Sequence, residues 1–235
     1  MAAFRLAHEM QADMIELDVL LTKDGVPVVF HDEDVIKLTD GSGPVLGFTF
    51  RELRQLDAGT RFSKEFSGEK IPSLEEVLDW LPEEMLLNIE IKTEAVTENR
   101  SNGIEEKVIE LVEQKKLRHK VLLSSFSYVA VKRFKQIQGD IKTGLLYEKN
   151  QSKGNMPSDL VEEHGADFFH CSSREMKNSW QKDLQKKKIP YLLYTINRKW
   201  AMKRWIKHGA SGLFSDKPDI LRDVYYNYQD RSTGY

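Results

Sequence analysis

The chain is short of several things that would each announce a class of protein. A single cysteine, Cys171, stands among 235 residues, so no internal disulfide can form and a reducing compartment fits. No apolar run approaches the ~20 residues of a membrane span. The amphipathic opening, residues 1–9, reads as a helix and not as a secretory leader. A cytoplasmic protein is expected. Neither sign of charge dominates: 35 Lys and Arg against 37 Asp and Glu give a formal net charge of −2, which argues against the basic field of a nucleic-acid binder. The one dense basic cluster, Lys186-Lys187-Lys188, suits the last turn of a helix, where cations complement the dipole. No Gly-x-Gly-x-x-Gly is present, so the phosphate cradle of a doubly wound nucleotide-binding sheet is missing.

What the chain does have is alternation. With 40% hydrophobic residues it can bury one large core, and a single domain over 1–235 is expected. Short β-rich runs at 15–19, 86–91, 121–126, 143–147, 167–171, 191–196 and 212–214 alternate with helical patterns. Ser73 with Glu76 makes a capping box opening a helix over 74–81. Ile104, Val108, Leu111 and Val112 mark one face of a helix over 104–117; Ser127 and Asn197 can cap the helices after their strands, and Pro218 suits the start of a last one. Runs such as Val121-Leu122-Leu123 are apolar on both faces, as buried parallel strands are. Seven parallel strands with intervening helices point to a TIM-type (β/α)8 barrel lacking its first strand. Residues 37–71 break the rhythm and read as an insertion on the C-terminal face, with a short helix near 49–56.

Functional residues gather first around a turn. Asp24-Gly25 between apolar runs suggests a two-residue hairpin loop, which would pair Thr22 with Pro27, Leu20 with Val29 and Asp18 with His31. That register leaves Pro27, which has no N–H, at a non-hydrogen-bonded position. Glu16 would share the face of Asp18 and His31. A solvated strand face is the ordinary explanation for such residues; two carboxylates and an imidazole together equally begin a metal and acid–base site. Asn88, Glu90 and Lys92 form a second polar stripe on a strand that is otherwise buried. Glu16, Asp18 and Glu90 on neighbouring strand ends suit a hard divalent cation, and Lys92 can hold a phosphate oxygen. His170 closes a strand and could reach the same face, though an ordinary structural place suits it better. His8, His119, His164 and His208 take no role.

Several motifs, in order, resemble those of glycerophosphodiester phosphodiesterases: Ile15-Glu16-Leu17-Asp18-Val19, Leu21-Thr22-Lys23-Asp24-Gly25, Pro27-Val28-Val29-Phe30-His31-Asp32, Ile71-Pro72-Ser73-Leu74-Glu75-Glu76 and Ile89-Glu90-Ile91-Lys92. Ser124-Ser125-Phe126, Tyr194-Thr195-Ile196-Asn197 and Ser215-Asp216-Lys217-Pro218 continue the series. The resemblance implies a TIM barrel that uses Mg²⁺ or Ca²⁺ to hydrolyse a small-molecule glycerophosphodiester to glycerol 3-phosphate and an alcohol. It makes Glu16, Asp18 and Glu90 metal ligands, His31 a catalytic histidine, Lys92 a phosphate contact and Tyr194 an aromatic wall for the glycerol moiety. The family's pattern opens with a strand ending His-Arg-Gly and a loop ending Glu-Asn-Thr, and neither is in this sequence. By that comparison a longer gene product is expected, and this chain by itself is expected to be nearly inactive. Two rival readings stay open: a related phosphodiesterase acting on lysophospholipids, and a non-catalytic metal- or phosphate-binding barrel. Residues 37–71 show no run of large apolar residues, which weighs against a lipid groove.

Overall fold

The computed structural model describes residues 1–97 and 102–232. Helix α1 (Ala2–Glu9) leads into β1 (Met14–Leu21) and the short return strand β2 (Pro27–Val29). A lobe of 3-10 turns with one short helix, α2 (Phe50–Leu53), precedes α3 (Leu74–Trp80). Strand–helix alternation then runs β3 (Leu86–Ile91), α4 (Ile104–Gln114), β4 (Val121–Ser125), α5 (Tyr128–Ile137), β5 (Lys142–Leu146), α6 (Lys149–Ser152), α7 (Pro157–His164) and β6 (Phe168–Ser172). It ends with α8 (Asn178–Lys187), β7 (Tyr191–Tyr194), α9 (Lys199–Lys207), β8 (Gly212–Leu213) and α10 (Pro218–Ser232).

The strands form one curled sheet in the order β2-β1-β3-β4-β5-β6-β7-β8, with only β2 antiparallel. Among the described residues no ladder joins β8 to β1, so the expected barrel is present as an unclosed sheet. Its outward residues sit under the helices. Leu17, Ile89 and Leu123 pack with Val108, Val112 and Phe134 in one core. Leu145, Phe169 and Leu193 pack with Leu160, Leu184 and Met202 in a second. Alternate strand positions therefore face inward, among them Glu16, Asp18, Glu90, Ser124, Gly144, His170 and Tyr194. A third cluster, built on Val28, Phe30, Val35, Val45, Leu53 and Ile71, gives the lobe a core of its own. No helix among the described residues is long and apolar enough to cross a membrane.

Two expectations need correction. The hairpin pairs Val19 with Val29, Leu20 with Val28 and Leu21 with Pro27, one residue out of the expected register. Thr22 N–H bonds Val26 O, leaving a three-residue loop, Lys23-Asp24-Gly25, with Gly25 at φ +75°. Left-handed backbone there is what a three-residue loop requires, and glycine adopts it without strain. Pro27 still falls between hydrogen-bonded pairs, so its missing donor could not distinguish the two registers. The second correction concerns Asn197, which caps no helix: α9 starts after Arg198 without a side-chain cap. Instead Asn197 donates to Asp216 Oδ2 at 2.6 Å, while Oδ1 accepts from Ser215 Oγ and from Asp216 N–H. Ser73 and Ser127 do cap α3 and α5 as expected. The helix expected over 104–117 stops at Gln114, because Lys116 turns into the left-handed region at φ +58°.

At the N-terminal end of the sheet, Asp167 holds three elements together. It pairs with Lys135 of α5 at 2.6 Å and Lys142 of β5 at 3.0 Å, and accepts the Thr143 backbone N–H at 2.9 Å. Burial works to raise its carboxyl, yet these donors hold it below the usual carboxylate range. A depressed folded-state pKa stabilises the fold above the unfolded value and ceases to do so as pH falls through the folded one. Asp167→Asn is therefore expected to destabilise by about 1–2 kcal/mol at pH 7. Urea unfolding at stepped pH should show the difference from wild type shrinking below about pH 4.

Candidate active site

Two adjacent parallel strands supply the acidic part of the site. The β1–β3 ladder pairs Glu16 with Asn88 and Asp18 with Glu90, and the alternation that buries Leu17 and Ile89 outward sends these four inward. Oxygens of Glu16, Asp18 and Glu90 all lie within 4.8 Å of one another. Lys92, just beyond β3, places its Nζ 3.3 Å from Asp18 Oδ1 and 3.5 Å from Glu90 Oε1.

One ammonium against three carboxylates leaves negative charge in a largely buried place. Burial first, then repulsion from Asp18 and Glu90, pushes the Glu16 carboxyl up to about 8. Burial and Asp18 push Glu90 up to about 7, with Lys92 pulling the other way. Burial draws the Lys92 ammonium down, but Asp18 and Glu90 outweigh it and hold it above its ordinary value. An all-oxygen, under-neutralised cluster has the chemistry that hard divalent cations take. The residues present fit such an ion.

His31 reaches the site by another route than the one expected. The hairpin's shifted register makes Phe30 the partner of Asp18, through its N–H to Asp18 O at 3.0 Å, so His31 stands one residue past that pair. Its side chain is 65% exposed, with Nδ1 2.7 Å from Asp32 Oδ1; Lys37 Nζ lies 3.1 Å from Asp32 Oδ2. Those two partners hold the Asp32 carboxyl below its usual range. An ionised carboxylate only accepts, so Nδ1 carries a proton, and in the neutral ring that leaves Nε2 with the lone pair. Asp32 is the imidazole's partner that reading the sequence passed over, although its place directly after His31 was a signal for it.

Tyr194 closes β7 on the inner side, half-buried between Phe126 and Phe214 with ring centroids 6.3 Å away in each case. Both pairs are near-perpendicular, the favourable edge-to-face arrangement. Glu90 feels the charge of His31, and the Tyr194 phenol, raised mainly by burial, feels Glu90. Phe126 and Phe214 went unremarked in the sequence as ring neighbours, their only signal being an aromatic just past a strand end. His170 lies inside β6, fully buried, and not at the mouth.

The sequence model of the glycerophosphoryl diester phosphodiesterase family matches residues 1–220. That match decides the family. The chain belongs to the glycerophosphodiester phosphodiesterases. Relatives agree: a glycerophosphodiester phosphodiesterase of Caldanaerobacter subterraneus is 37% identical, over 94% of this chain and 88% of that one. A Bacillus subtilis enzyme of the same name is 30% identical over 96% and 81%. Among solved structures, an Oleispira antarctica phosphodiesterase in complex with the product sn-glycerol-3-phosphate superposes with a TM-score of 0.83 at 27% identity, covering 96% of this chain and 90% of that one. Family membership and the named relatives make the chain a phosphodiesterase.

The Asp32–His31 pair gives a specific expectation. Asp32→Asn can offer an N–H to Nδ1 and so favour the wrong tautomer; kcat should fall about 100-fold while KM stays within about threefold. Steady-state kinetics on glycerophosphocholine, with thermal unfolding to show that the variant folds, checks it.

Proposed function

We propose that this phosphodiesterase hydrolyses glycerophosphodiesters to glycerol 3-phosphate and an alcohol with Mg²⁺ or Ca²⁺ held by Glu16, Asp18 and Glu90. The observation that carries this reading is the three inward carboxylates within 4.8 Å of one another, only partly offset by Lys92, on adjacent parallel strands of a chain from this family. A divalent cation bound there supplies charge neutralisation for a phosphate and polarises an attacking oxygen.

The chain's own residues divide the remaining work. Lys92 already bridges two carboxylates, and a phosphate oxygen beside it gains a third partner for the same ammonium. His31, with Nε2 free, takes a proton from the attacking oxygen or returns one to the leaving oxygen; Asp32 keeps the imidazole in that tautomer. Tyr194 offers a ring face to the glycerol moiety. The product in the Oleispira enzyme is the small molecule this reading requires.

A second substrate reading has an observation in its favour. The lobe over 37–71 and the turn before it expose Ile36, Leu38, Leu46 and Phe62, the last at 86%. These four form no run in the sequence because they are scattered through non-periodic turns. Exposed apolar groups on the lobe that follows His31 in the chain suit an acyl chain, so lysophosphatidylcholine stands as the alternative substrate.

Three measurements separate these readings. Chelation should abolish hydrolysis and added Mg²⁺ or Ca²⁺ restore it, with Glu90→Gln losing most of the cation affinity. Replacing His31 by Ala should lower kcat by about 10²–10⁴ with little change in KM, as expected for proton transfer in the transition state. Side-by-side assays should favour glycerophosphocholine over lysophosphatidylcholine; the reverse preference, lost on Phe62→Ser with Leu46→Ser, would select the lipid reading.

A further inference from the structure

The inner face of β6 carries an imidazole that the chemistry above does not use. His170 is 0% exposed, and neither ring nitrogen has a hydrogen-bond partner. Burial keeps it neutral, with its pKa drawn down to about 3. Leaving polar ring atoms buried and unbonded is destabilising. A buried leucine would avoid that cost, so simple filling of space is a poor account of a histidine here.

Its neighbours on the two sides differ in kind. On one side is backbone: a Cβ added at Gly144 of β5 would fall 2.6 Å from His170 Cε1 and 2.7 Å from Nε2. Glycine is needed there for space, because the ring occupies the volume that any side chain would take. On the other side is a ring: Phe214 lies 5.7 Å from the imidazole, centroid to centroid. Phe214 in turn meets Tyr194 at 6.3 Å, and Tyr194 meets Phe126 at 6.3 Å. A continuous column of rings thus runs from the buried strand to the half-buried residue at the mouth. Phe168 also meets the imidazole, edge-on at 6.5 Å, and limits its sideways movement.

We propose that His170, seated on Gly144, is a positioning residue that sets the place of the Phe214–Tyr194 wall and so the affinity of the site for the glycerol moiety. The planar imidazole spans the distance between the β5 backbone and Phe214. A side chain at 144 would push the imidazole toward Phe214 and carry the wall with it. His170 exchanges no proton with substrate in this role, since it is enclosed. The inference rests on the reading of Tyr194 as a substrate-contacting ring.

The test measures KM and kcat for glycerophosphocholine and, by calorimetry, the Kd for sn-glycerol 3-phosphate. Gly144→Ala is expected to raise both KM and Kd about 10-fold with kcat within about threefold, as when binding geometry is disturbed without loss of a proton-transfer group. In Gly144→Ala/His170→Ala the added methyl meets no ring, so the double variant should bind better than Gly144→Ala alone. Equal effects of Gly144→Ala with and without the imidazole would overturn the proposal, as would a fall in kcat with KM and Kd unchanged. Should Gly144→Ala not fold, His170→Asn carries the test. Its planar amide rests on Gly144 but reaches less far toward Phe214, and about a threefold rise in Kd is expected; an unchanged Kd refutes the idea. Tyr194→Ala, run in parallel, keeps the two layers apart. If it leaves Kd unchanged, the wall itself is not a substrate surface and the role of His170 fails with it. If Tyr194→Ala weakens binding while neither Gly144→Ala nor His170→Asn does, only the positioning role falls.

Discussion

The register of one parallel ladder governs the site. Asp18 beside Glu90, with Glu16 one step below on the same face, exists only because β1 and β3 pair as they do. A slip of one residue would turn these carboxylates outward into the layer where Leu17 and Ile89 pack, and would bring those apolar groups to the mouth. The core protects against that slip, since the same ladder places Ile15, Leu17, Val19, Leu87, Ile89 and Ile91 under the helices. Packing on one face thus fixes electrostatics on the other. The strain of crowding three carboxylates is borne by a sheet whose outer face is firmly committed.

From that ladder the rest of the site is reached by short extensions. Lys92 follows the last residue of β3 and returns its ammonium to both strands. His31 follows the hairpin arm, and its orientation comes from Asp32 and Lys37, not from a strand partner. Strand cores hold the carboxylates at fixed mutual distances, and a loop carries the imidazole. In the proposed reading this separates a fixed charge template from the group that would move protons.

Much of this was legible in the sequence because it follows a period. The alternation in Ile15–Val19 and Leu86–Ile91 distinguishes inward carboxylates from outward apolar residues, and the Ser73–Glu76 and Ser127 caps are local chemistry. The hairpin shows where local reading stops. Asp24-Gly25 allows either a two- or a three-residue loop, and Pro27 is tolerated in both. The deciding contacts come from farther along the chain: Phe50 N–H bonds Asp24 Oδ1 at 2.9 Å, and Lys23 N–H bonds Phe48 O at 2.8 Å. Asn197 misled for the same reason, since its partners Ser215 and Asp216 lie on the next loop and outcompete a cap. The exposed Phe62 and Leu46 escaped notice because turns have no period to break.

The latch made by Asn197, Ser215 and Asp216 also divides the mouth into two mechanically unlike halves. It ties the loop after β7 to the loop after β8 with three hydrogen bonds, bracing the rim from which Tyr194 and Phe214 project. On the opposite rim, His31 stands exposed at the root of a lobe that carries its own core. The aromatic side is braced by two loops bonded to each other, and the histidine side by Asp32 and Lys37 next to a separately packed lobe. In the proposed reading, the braced rim would hold the glycerol end of a diester to one shape whichever alcohol it carries.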